Sequence, residues 1–174
     1  LNTLTTNLSF AGNNIQKIML TSCRPQEGKS FLSMNLMRTL AGVGKQVVLV
    51  DADLRRSLLS SRYGVQTSDQ MLGLSHYLAG MCTVDDIVFK TNIKNAYMVM
   101  AGYDVANSLA LLSTPRFARL LDVLAKEFDV VIVDAPPGGV IIDAAQIAKS
   151  CDGVVFVVSD NLIPRKELLE ATRQ

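Results

Sequence analysis

The sequence predicts an α/β fold in which helices cover both faces of a doubly wound, mostly parallel sheet. Short apolar runs rich in β-branched residues recur along the chain, and longer stretches with helical spacing separate them. Strands that alternate with helices form parallel sheets, whose buried strands read as continuous apolar runs. The runs VVLV, VVIV and VVFVV have this character and are expected at the centre of the sheet. At 174 residues, the chain is expected to form a single domain, 1–174.

Five apolar runs are predicted to be strands: Lys17–Thr21, Gln46–Val50, Ala96–Met100, Asp129–Val133 and Gly153–Val158. The segments with helical spacing are predicted to be helices: Lys29–Ala41, Pro115–Lys126, Ile142–Ser150 and Pro164–Gln174. Gly42 and Gly44 end the first helix, while Pro115 and Pro164 stand at first-turn positions that proline favours. The last predicted helix reaches Gln174 without a cap, which is the pattern expected where the natural protein or domain continues beyond Gln174.

The composition excludes several classes of protein. Lys and Arg number 17 against 16 acidic residues, a balance that gives no broad basic surface for nucleic acid. Three scattered cysteines and a single histidine predict neither a disulfide framework nor a zinc site. The apolar runs are too short to cross a bilayer, and the N-terminus has no signal-peptide pattern. We therefore expect a soluble, cytoplasmic chain that is able to work beside a membrane.

The stretch SCRPQEGKSF, residues 22–31, predicts a phosphate-binding loop after the first strand. Gly28 allows the backbone to approach a phosphate, Lys29 meets its charge, and the Ser30 hydroxyl can bind Mg²⁺. The following helix N-terminus adds partial positive charge and N–H groups. An ordinary turn is the alternative, but it leaves unexplained a lysine in a first helical turn, where acidic residues are favoured. Cys23 stands where the first glycine of such a loop is usual.

Acidic residues follow two further strands. VVLVDADLRR places Asp51 and Asp53 after one strand, and VVIVDAPPGG places Asp134 after another. Because the carboxyl ends of parallel strands share an edge, we expect these carboxylates to meet there, exposed, beside Lys29 and Ser30. Carboxylates can hold a nucleotide's Mg²⁺ and accept the proton of an attacking hydroxyl. Each aspartate alone could equally be a turn or capping residue, but the three together predict a nucleotide and magnesium site.

These motifs resemble the cytoplasmic kinase domain of the bacterial tyrosine kinases that regulate capsular and extracellular polysaccharide export. The resemblance rests on TSCRPQEGKS, LVDADLRR and FDVVIVDAPP in this order, with GLSHYLAG and RFARLLDVLAKEFD at the expected places. It implies a P-loop NTPase-like fold with Walker A, A′ and B motifs, ATP or ADP and Mg²⁺ as cofactors, and protein-tyrosine autokinase activity. It also implies a transmembrane polysaccharide co-polymerase as activating partner, at the inner face of the membrane through that partner or a fused membrane segment.

The resemblance also implies a role for each site residue. The nucleotide would lie on the loop formed by Arg24, Pro25, Gln26, Glu27, Gly28, Lys29, Ser30 and Phe31. Lys29 would contact the terminal phosphates, and Ser30, Asp53 and Asp134 would bind Mg²⁺. The catalytic residues would be Lys29, Asp51 and Asp53. Either aspartate of the second motif could be the general base, and we favour Asp51.

The sequence departs from the family pattern at several positions. Gln26 stands where the family has glycine, and a positive φ there would cost about 1 kcal/mol or more and weaken nucleotide binding. Asn2 and Thr5 replace the arginines of a ring-forming N-terminal helix, so self-association remains open but the ring motif is not matched. Ser108 and Ala110 replace a proline and a glutamate of the pattern. The four tyrosines are dispersed and do not form the family's C-terminal cluster.

Two other functions share this site chemistry. The first is a switch ATPase like the septum-placement and plasmid-partition proteins, but Arg24 stands where those proteins carry a second lysine. The second is a nucleotide-binding scaffold with little turnover, which the departure at Gln26 suggests.

Three charged residues near the predicted site have open roles. Arg55 and Arg56 could bind phosphate or a partner's acidic segment, or could form a solvated helix face. Asp143 is predicted to cap the helix that follows it.

Overall fold

The computed structural model describes residues 15–55, 57, 59, 71–137, 142–159, 164 and 166. Six strands form one sheet: β1 (Lys17–Ser22), β2 (Val47–Asp51), β3 (Val88–Lys90), β4 (Ala96–Val99), β5 (Val130–Asp134) and β6 (Gly153–Val157). Their order is β3-β4-β2-β5-β1-β6. Every neighbouring pair is parallel except β3 and β4, which are antiparallel. The predicted α/β fold with a mostly parallel sheet is therefore confirmed.

Five helices are described: α1 (Lys29–Gly42), α2 (Leu74–Leu78), α3 (Ser108–Leu112), α4 (Pro115–Glu127) and α5 (Ile142–Ala148). The predictions for α1 and α4 end within one residue of the observed ends. The predicted Ile142–Ser150 helix ends at Ala148, because Ser150 and Cys151 donate to carbonyls three residues back and tighten the last turn. The predicted Pro164–Gln174 helix lies almost entirely outside the described residues.

The sequence analysis missed three short elements, β3, α2 and α3. The strand has three residues and each helix has five. Segments of this length are too short to show the hydrophobic repeat of two residues that marks a strand or of 3.6 residues that marks a helix. None of the helices in the described part of the chain combines the length and apolar character needed to cross a bilayer.

The residues of β2 show why the central strands are continuously apolar. Val48 and Val50 pack in one buried cluster with α4, and Val47 and Leu49 pack in a second cluster with α1. Alternate residues of a strand point to opposite faces, so burial of both faces requires an apolar residue at every position. The same pattern holds in β5.

The prediction that VVFVV lies at the centre of the sheet is wrong. In the described part of the chain β6 is the last strand of the sheet, paired with β1 alone. Its residues are half-buried or exposed, with Val154 at 49% exposure. An apolar run indicates a strand, but the place of that strand depends on which neighbours it pairs with. The run could not reveal this order.

The carboxyl ends of β1, β5 and β2 meet at one edge of the sheet. Leu20 lies opposite Asp134, and Asp51 also lies opposite Asp134, in the parallel registers of β5 with its two neighbours. Two bonds continue the ladder beyond the strands, Ala135 N–H to the Leu20 carbonyl and Ala52 N–H to the Asp134 carbonyl, both at 3.0 Å. The residues that follow these three strands are therefore held side by side.

Gly73 occupies a close approach of two backbone segments, and its substitution tests the packing of α2. A Cβ at Gly73 would lie 2.6 Å from both the Gly102 nitrogen and the Met100 carbonyl oxygen. We expect Gly73→Ala to lower the free energy of unfolding by about 1–3 kcal/mol, because these segments would have to separate. Gly42→Ala is the control, since no atom lies within 4 Å of its Cβ, and it should stabilise α1 by up to about 1 kcal/mol. Urea denaturation measures both, and equal stabilities for the two variants would contradict this account.

Candidate active site

The loop between β1 and α1 is a tight turn with two left-handed residues. Gln26 has a φ of 69° and Gly28 a φ of 87°. The buried Glu27 ties the turn together, because its Oε2 accepts the Arg24 N–H at 2.6 Å and its Oε1 accepts the Ser159 N–H at 3.3 Å. The glutamine at position 26 therefore adopts the conformation that the sequence analysis considered costly.

The N-terminus of α1 lies at the end of this loop and is suited to an anion. Gly28 is its N-cap and has no side chain to accept the N–H groups of the first turn, which also contains no acidic residue. Lys29 is the first residue of the helix and adds a full positive charge. Free N–H groups, the helix dipole and an ammonium group are together the features that bind phosphate.

Asp134 gathers three donors from the first turns of α1. The Lys29 Nζ donates to Asp134 Oδ1 at 2.9 Å, the Ser30 hydroxyl donates to Oδ2 at 2.8 Å, and the Ser33 hydroxyl donates to Oδ1 at 2.9 Å. The Lys29 and Asp134 side chains are 9% and 2% exposed. The structure thus brings together three residues that the sequence placed in one site. Ser33 was missed, although its spacing of four from Lys29 puts both on one helix face.

The oxygen atoms of this cluster suit Mg²⁺. Adjacent ligands of an octahedral Mg²⁺ lie about 2.9 Å apart, given metal–oxygen distances of about 2.0–2.1 Å. The 2.8 Å between Ser30 Oγ and Asp134 Oδ2 matches this separation. Among the described residues, no three His, Cys, Asp or Glu side chains could hold a metal unaided. The coordination shell would therefore have to include phosphate oxygens or water.

Asp51 lies beside Asp134 and is buried, which corrects the expectation that these acids are exposed. Both are the last residues of their strands rather than the first residues of a loop, and each is 1% exposed. Burial is the main cause that raises the pKa of Asp51 to about 7; the charge of Asp134 acts in the same direction, and the Ser57 hydroxyl and Lys29 oppose both. The Asp53 N–H and the Ser57 hydroxyl both donate to the Asp51 carboxylate.

Most of the other predicted site residues are more exposed to solvent. Arg24, Pro25, Gln26 and Phe31 are exposed, with Phe31 at 62%. Asp53 is half-buried and belongs to the turn after β2. The predicted ring positions, Asn2 and Thr5, lie outside the described residues, as does Arg56.

Two charged residues near the site have contacts that the sequence analysis did not anticipate. Arg55 contacts two residues of the same chain: its Nε donates to Asp143 Oδ2 at 2.9 Å and to Ser108 Oγ at 2.8 Å. The prediction that Asp143 caps α5 is wrong. Asp143 is the second residue of that helix and is 1% exposed, so its carboxylate is directed to Arg55 and Ser108 instead.

Comparison with known proteins identifies the family. A model of the AAA domain matches residues 15–163. The chain is 33% identical to tyrosine-protein kinase CpsD of Streptococcus pneumoniae over 173 residues, which is 99% of this chain and 75% of that protein. The chain belongs to the bacterial tyrosine-kinase family.

Solved structures agree with this family assignment. The kinase domain of Escherichia coli tyrosine kinase ETK matches with a TM-score of 0.91 and 30% identity, over 98% of this chain and 66% of that chain. The septum site-determining protein MinD of Pyrococcus horikoshii, solved with Mg-ADP, matches with a TM-score of 0.71 and 24% identity, over 82% of this chain and 57% of that chain. The second likeness concerns the fold alone. This tyrosine-kinase chain therefore has the P-loop NTPase type of fold that its motifs implied.

The raised pKa of Asp51 predicts a pH-dependent stability for the metal-free protein. Because this pKa is raised to about 7 in the folded state, the folded chain holds a proton between about pH 4 and 7 that the unfolded chain has released. Stability should therefore fall as the pH rises through this range. In thermal unfolding with EDTA, the melting temperature should fall more between pH 5 and pH 8 for the wild type than for Asp51→Asn. Asp85→Asn, at an exposed acid, should behave as the wild type, and an unchanged pH dependence in Asp51→Asn would refute the assignment.

The left-handed backbone at Gln26 predicts that glycine stabilises the loop. A non-glycine residue in this region costs about 1–2 kcal/mol, so Gln26→Gly should raise the free energy of unfolding by about 1 kcal/mol. Asn95→Gly is the matched control at a φ of 65°. Asparagine tolerates this conformation, and its amide donates to the Ala41 carbonyl, so we expect no gain there. Chemical denaturation compares the two, and a destabilised Gln26→Gly would show that the glutamine side chain has a compensating contact.

Proposed function

We propose that this chain is an ATP- and Mg²⁺-dependent protein-tyrosine kinase, formed as one domain over residues 1–174, that phosphorylates tyrosines on copies of its own kind. The family supports the activity, since the relatives are named tyrosine-protein kinases. The observation that carries the nucleotide site is the meeting of Lys29, Ser30 and Asp134 at the carboxyl edge of the sheet. A cation, a hydroxyl and a carboxylate there are the groups that a Mg²⁺-bound polyphosphate requires.

The phosphates of the nucleotide would lie on the loop 24–31 and against the N-terminus of α1. In the described structure the Lys29 ammonium is paired with Asp134. When nucleotide binds, the Lys29 ammonium would contact phosphate oxygens instead of Asp134. Asp134 could then hold Mg²⁺ together with Ser30 and Asp53. The ion, when bound, would neutralise phosphate charge and orient the transferred group. The exposed Arg24 can add a second positive charge at the rim.

Asp51 is the residue that we propose as general base. A base works best when its pKa is near the operating pH, and burial raises the pKa of Asp51 to about 7. The acceptor tyrosine hydroxyl would take the place of the Ser57 hydroxyl at Asp51 Oδ2. In the transfer, the tyrosine oxygen bonds to the γ-phosphorus, the bond to the β–γ bridging oxygen breaks, and the tyrosine proton moves to Asp51. ADP leaves with the bridging oxygen.

The cellular role that we propose is the regulation of capsular or extracellular polysaccharide synthesis and export. A transmembrane polysaccharide co-polymerase would activate the kinase at the inner face of the cell membrane, through direct contact or through a fused membrane segment. The support for this role is the family resemblance of the motifs. The near balance of 17 basic and 16 acidic residues supports a partner other than nucleic acid.

A switch ATPase is the second candidate, because the fold that the chain shares with MinD is compatible with either activity. Incubation with ATP and Mg²⁺ separates the candidates. Phosphotyrosine on the chain supports the kinase, whereas release of phosphate without phosphotyrosine supports the switch. Neither product, together with measurable ADP binding, supports a nucleotide-binding scaffold.

Substitution of Lys29 tests the phosphate-binding assignment directly. Lys29→Met removes the cation that would contact the terminal phosphates, so phosphotyrosine formation should fall by about a hundredfold or more. Phosphotyrosine immunoblotting and calorimetric titration with ADP and Mg²⁺ measure the effect. Lys45→Met, at an exposed lysine before β2, should retain wild-type activity. Full activity in Lys29→Met, with a normal circular dichroism spectrum, would exclude the proposed site.

A further inference from the structure

We propose that Arg55, Ser108 and Asp143 form a positioning cluster that holds the acidic turn, residues 51–55, in the orientation that the kinase site requires. The inference rests on the proposed function, because it assigns a role to residues that lie beside the site rather than in it. None of the three is expected to touch nucleotide, metal or acceptor tyrosine. Their role would be to fix where Asp51 and Asp53 stand.

The cluster joins three separate parts of the chain. The Arg55 Nε donates to Asp143 Oδ2 at 2.9 Å and to Ser108 Oγ at 2.8 Å, and the Ser108 hydroxyl donates to the same Asp143 oxygen. Ser108 begins α3, Asp143 lies in the first turn of α5, and Arg55 ends the acidic turn. Ser108 and Asp143 are each 1% exposed, so both helices present a fixed, buried anchor to the arginine.

Further hydrogen bonds tie the rest of the acidic turn to the site. The Ala52 N–H donates to the Asp134 carbonyl at 3.0 Å, and the Asp53 N–H donates to Asp51 Oδ1 at 3.3 Å. The buried Leu54 accepts the Val105 N–H at 2.9 Å. Arg55 is thus the last of four consecutive residues with a bond to a fixed partner, and it is the one that anchors the turn to α3 and α5.

The energetics of the cluster favour a positioning role over a stabilising one. Asp143 Oδ1 is buried and has no hydrogen-bond partner among the described residues. The Arg55 side chain is 42% exposed and that of Asp143 is 1% exposed. A buried carboxylate with one unsatisfied oxygen costs stability, and an ion pair whose cation is partly exposed to water contributes little to offset that cost. What such a pair does supply is directed geometry, because the single Nε–H of Arg55 donates to Asp143 Oδ2 and to Ser108 Oγ at the same time.

Ser108 adds a polar contact between the two charged residues of the cluster. Its hydroxyl accepts the Arg55 Nε–H and donates to Asp143 Oδ2, so it bridges the two charged groups. The serine places a third polar group between the arginine and the carboxylate. The acidic turn of this chain should therefore be held by more than the Arg55–Asp143 pair.

The decisive experiment compares Arg55→Met, Asp143→Asn and the double variant. Arg55→Met leaves the buried Asp143 charge without its cation, so both the melting temperature and phosphotyrosine turnover should fall, turnover by roughly tenfold or more. The double variant removes both charges and should recover most of the lost melting temperature, while turnover stays low. Recovery of turnover together with stability in the double variant would overturn the positioning role.

Hydrogen exchange on the nucleotide-free protein gives a readout that does not depend on activity. The amides of Ala52 and Asp53 should exchange faster in Arg55→Met and in the double variant, and Ser108→Ala should show a smaller increase without loss of folding. Lys17→Gln is the control. Lys17 is the first residue of β1, and the substitution breaks its ion pair with the Asp122 carboxylate, which has the same 2.9 Å length. It should change neither exchange in the acidic turn nor turnover.

The outcomes separate this inference from the proposed function. A wild-type chain that forms no phosphotyrosine would defeat the kinase assignment, while the exchange data would still test whether the cluster holds the turn. A wild-type chain that is active, with unchanged exchange and turnover in Arg55→Met, would defeat the inference about the cluster alone.

Discussion

The ion pair between Lys29 and Asp134 is the interaction on which the rest of the site depends. It joins the first residue of α1 to the last residue of β5, with both side chains almost fully buried. A buried ion pair is expensive to form unless further hydrogen bonds complete it, and the Ser30 and Ser33 hydroxyls do so here. The pair keeps the phosphate-binding loop close to the sheet edge. The same atoms are the ones that a nucleotide and its metal would take over.

The second constraint is the placement of two carboxylates side by side. Asp51 and Asp134 are directly opposed in the register of β2 and β5, and neither is exposed to water. Neighbouring buried carboxylates repel each other when both are charged. Lys29 and the hydroxyls of Ser30, Ser33 and Ser57 offset this repulsion by donating hydrogen bonds to them. The pKa of Asp51 is raised chiefly by its burial, and the neighbouring charge of Asp134 adds to the effect.

The chain carries local conformations that are unfavourable in isolation. Gln26 holds a left-handed φ in the loop, and Asp143 holds a buried oxygen without a partner among the described residues. Both lie next to the proposed site, where strain and incomplete hydrogen bonding are expected to concentrate. Glu27 opposes the strain in the loop by accepting two backbone N–H groups. Burial of the central strands on both faces of the sheet stabilises the fold and offsets these unfavourable local terms.

The amino-acid sequence by itself determined the fold class, the strands β1, β2, β4, β5 and β6, the helices α1 and α4, and the meeting of Lys29 and Ser30 with Asp134. These depend on local patterns: continuous apolar runs, helical spacing, and motifs that follow strands. Tertiary structure decided the strand order that leaves β6 at the end of the described sheet, the burial of Asp51, and the contacts of Ser33 and Ser57. It also directed Asp143 to Arg55 and Ser108 rather than to its own helix end. Each of these depends on which distant residues become neighbours, because burial and pairing are properties of the packed chain and not of any one segment.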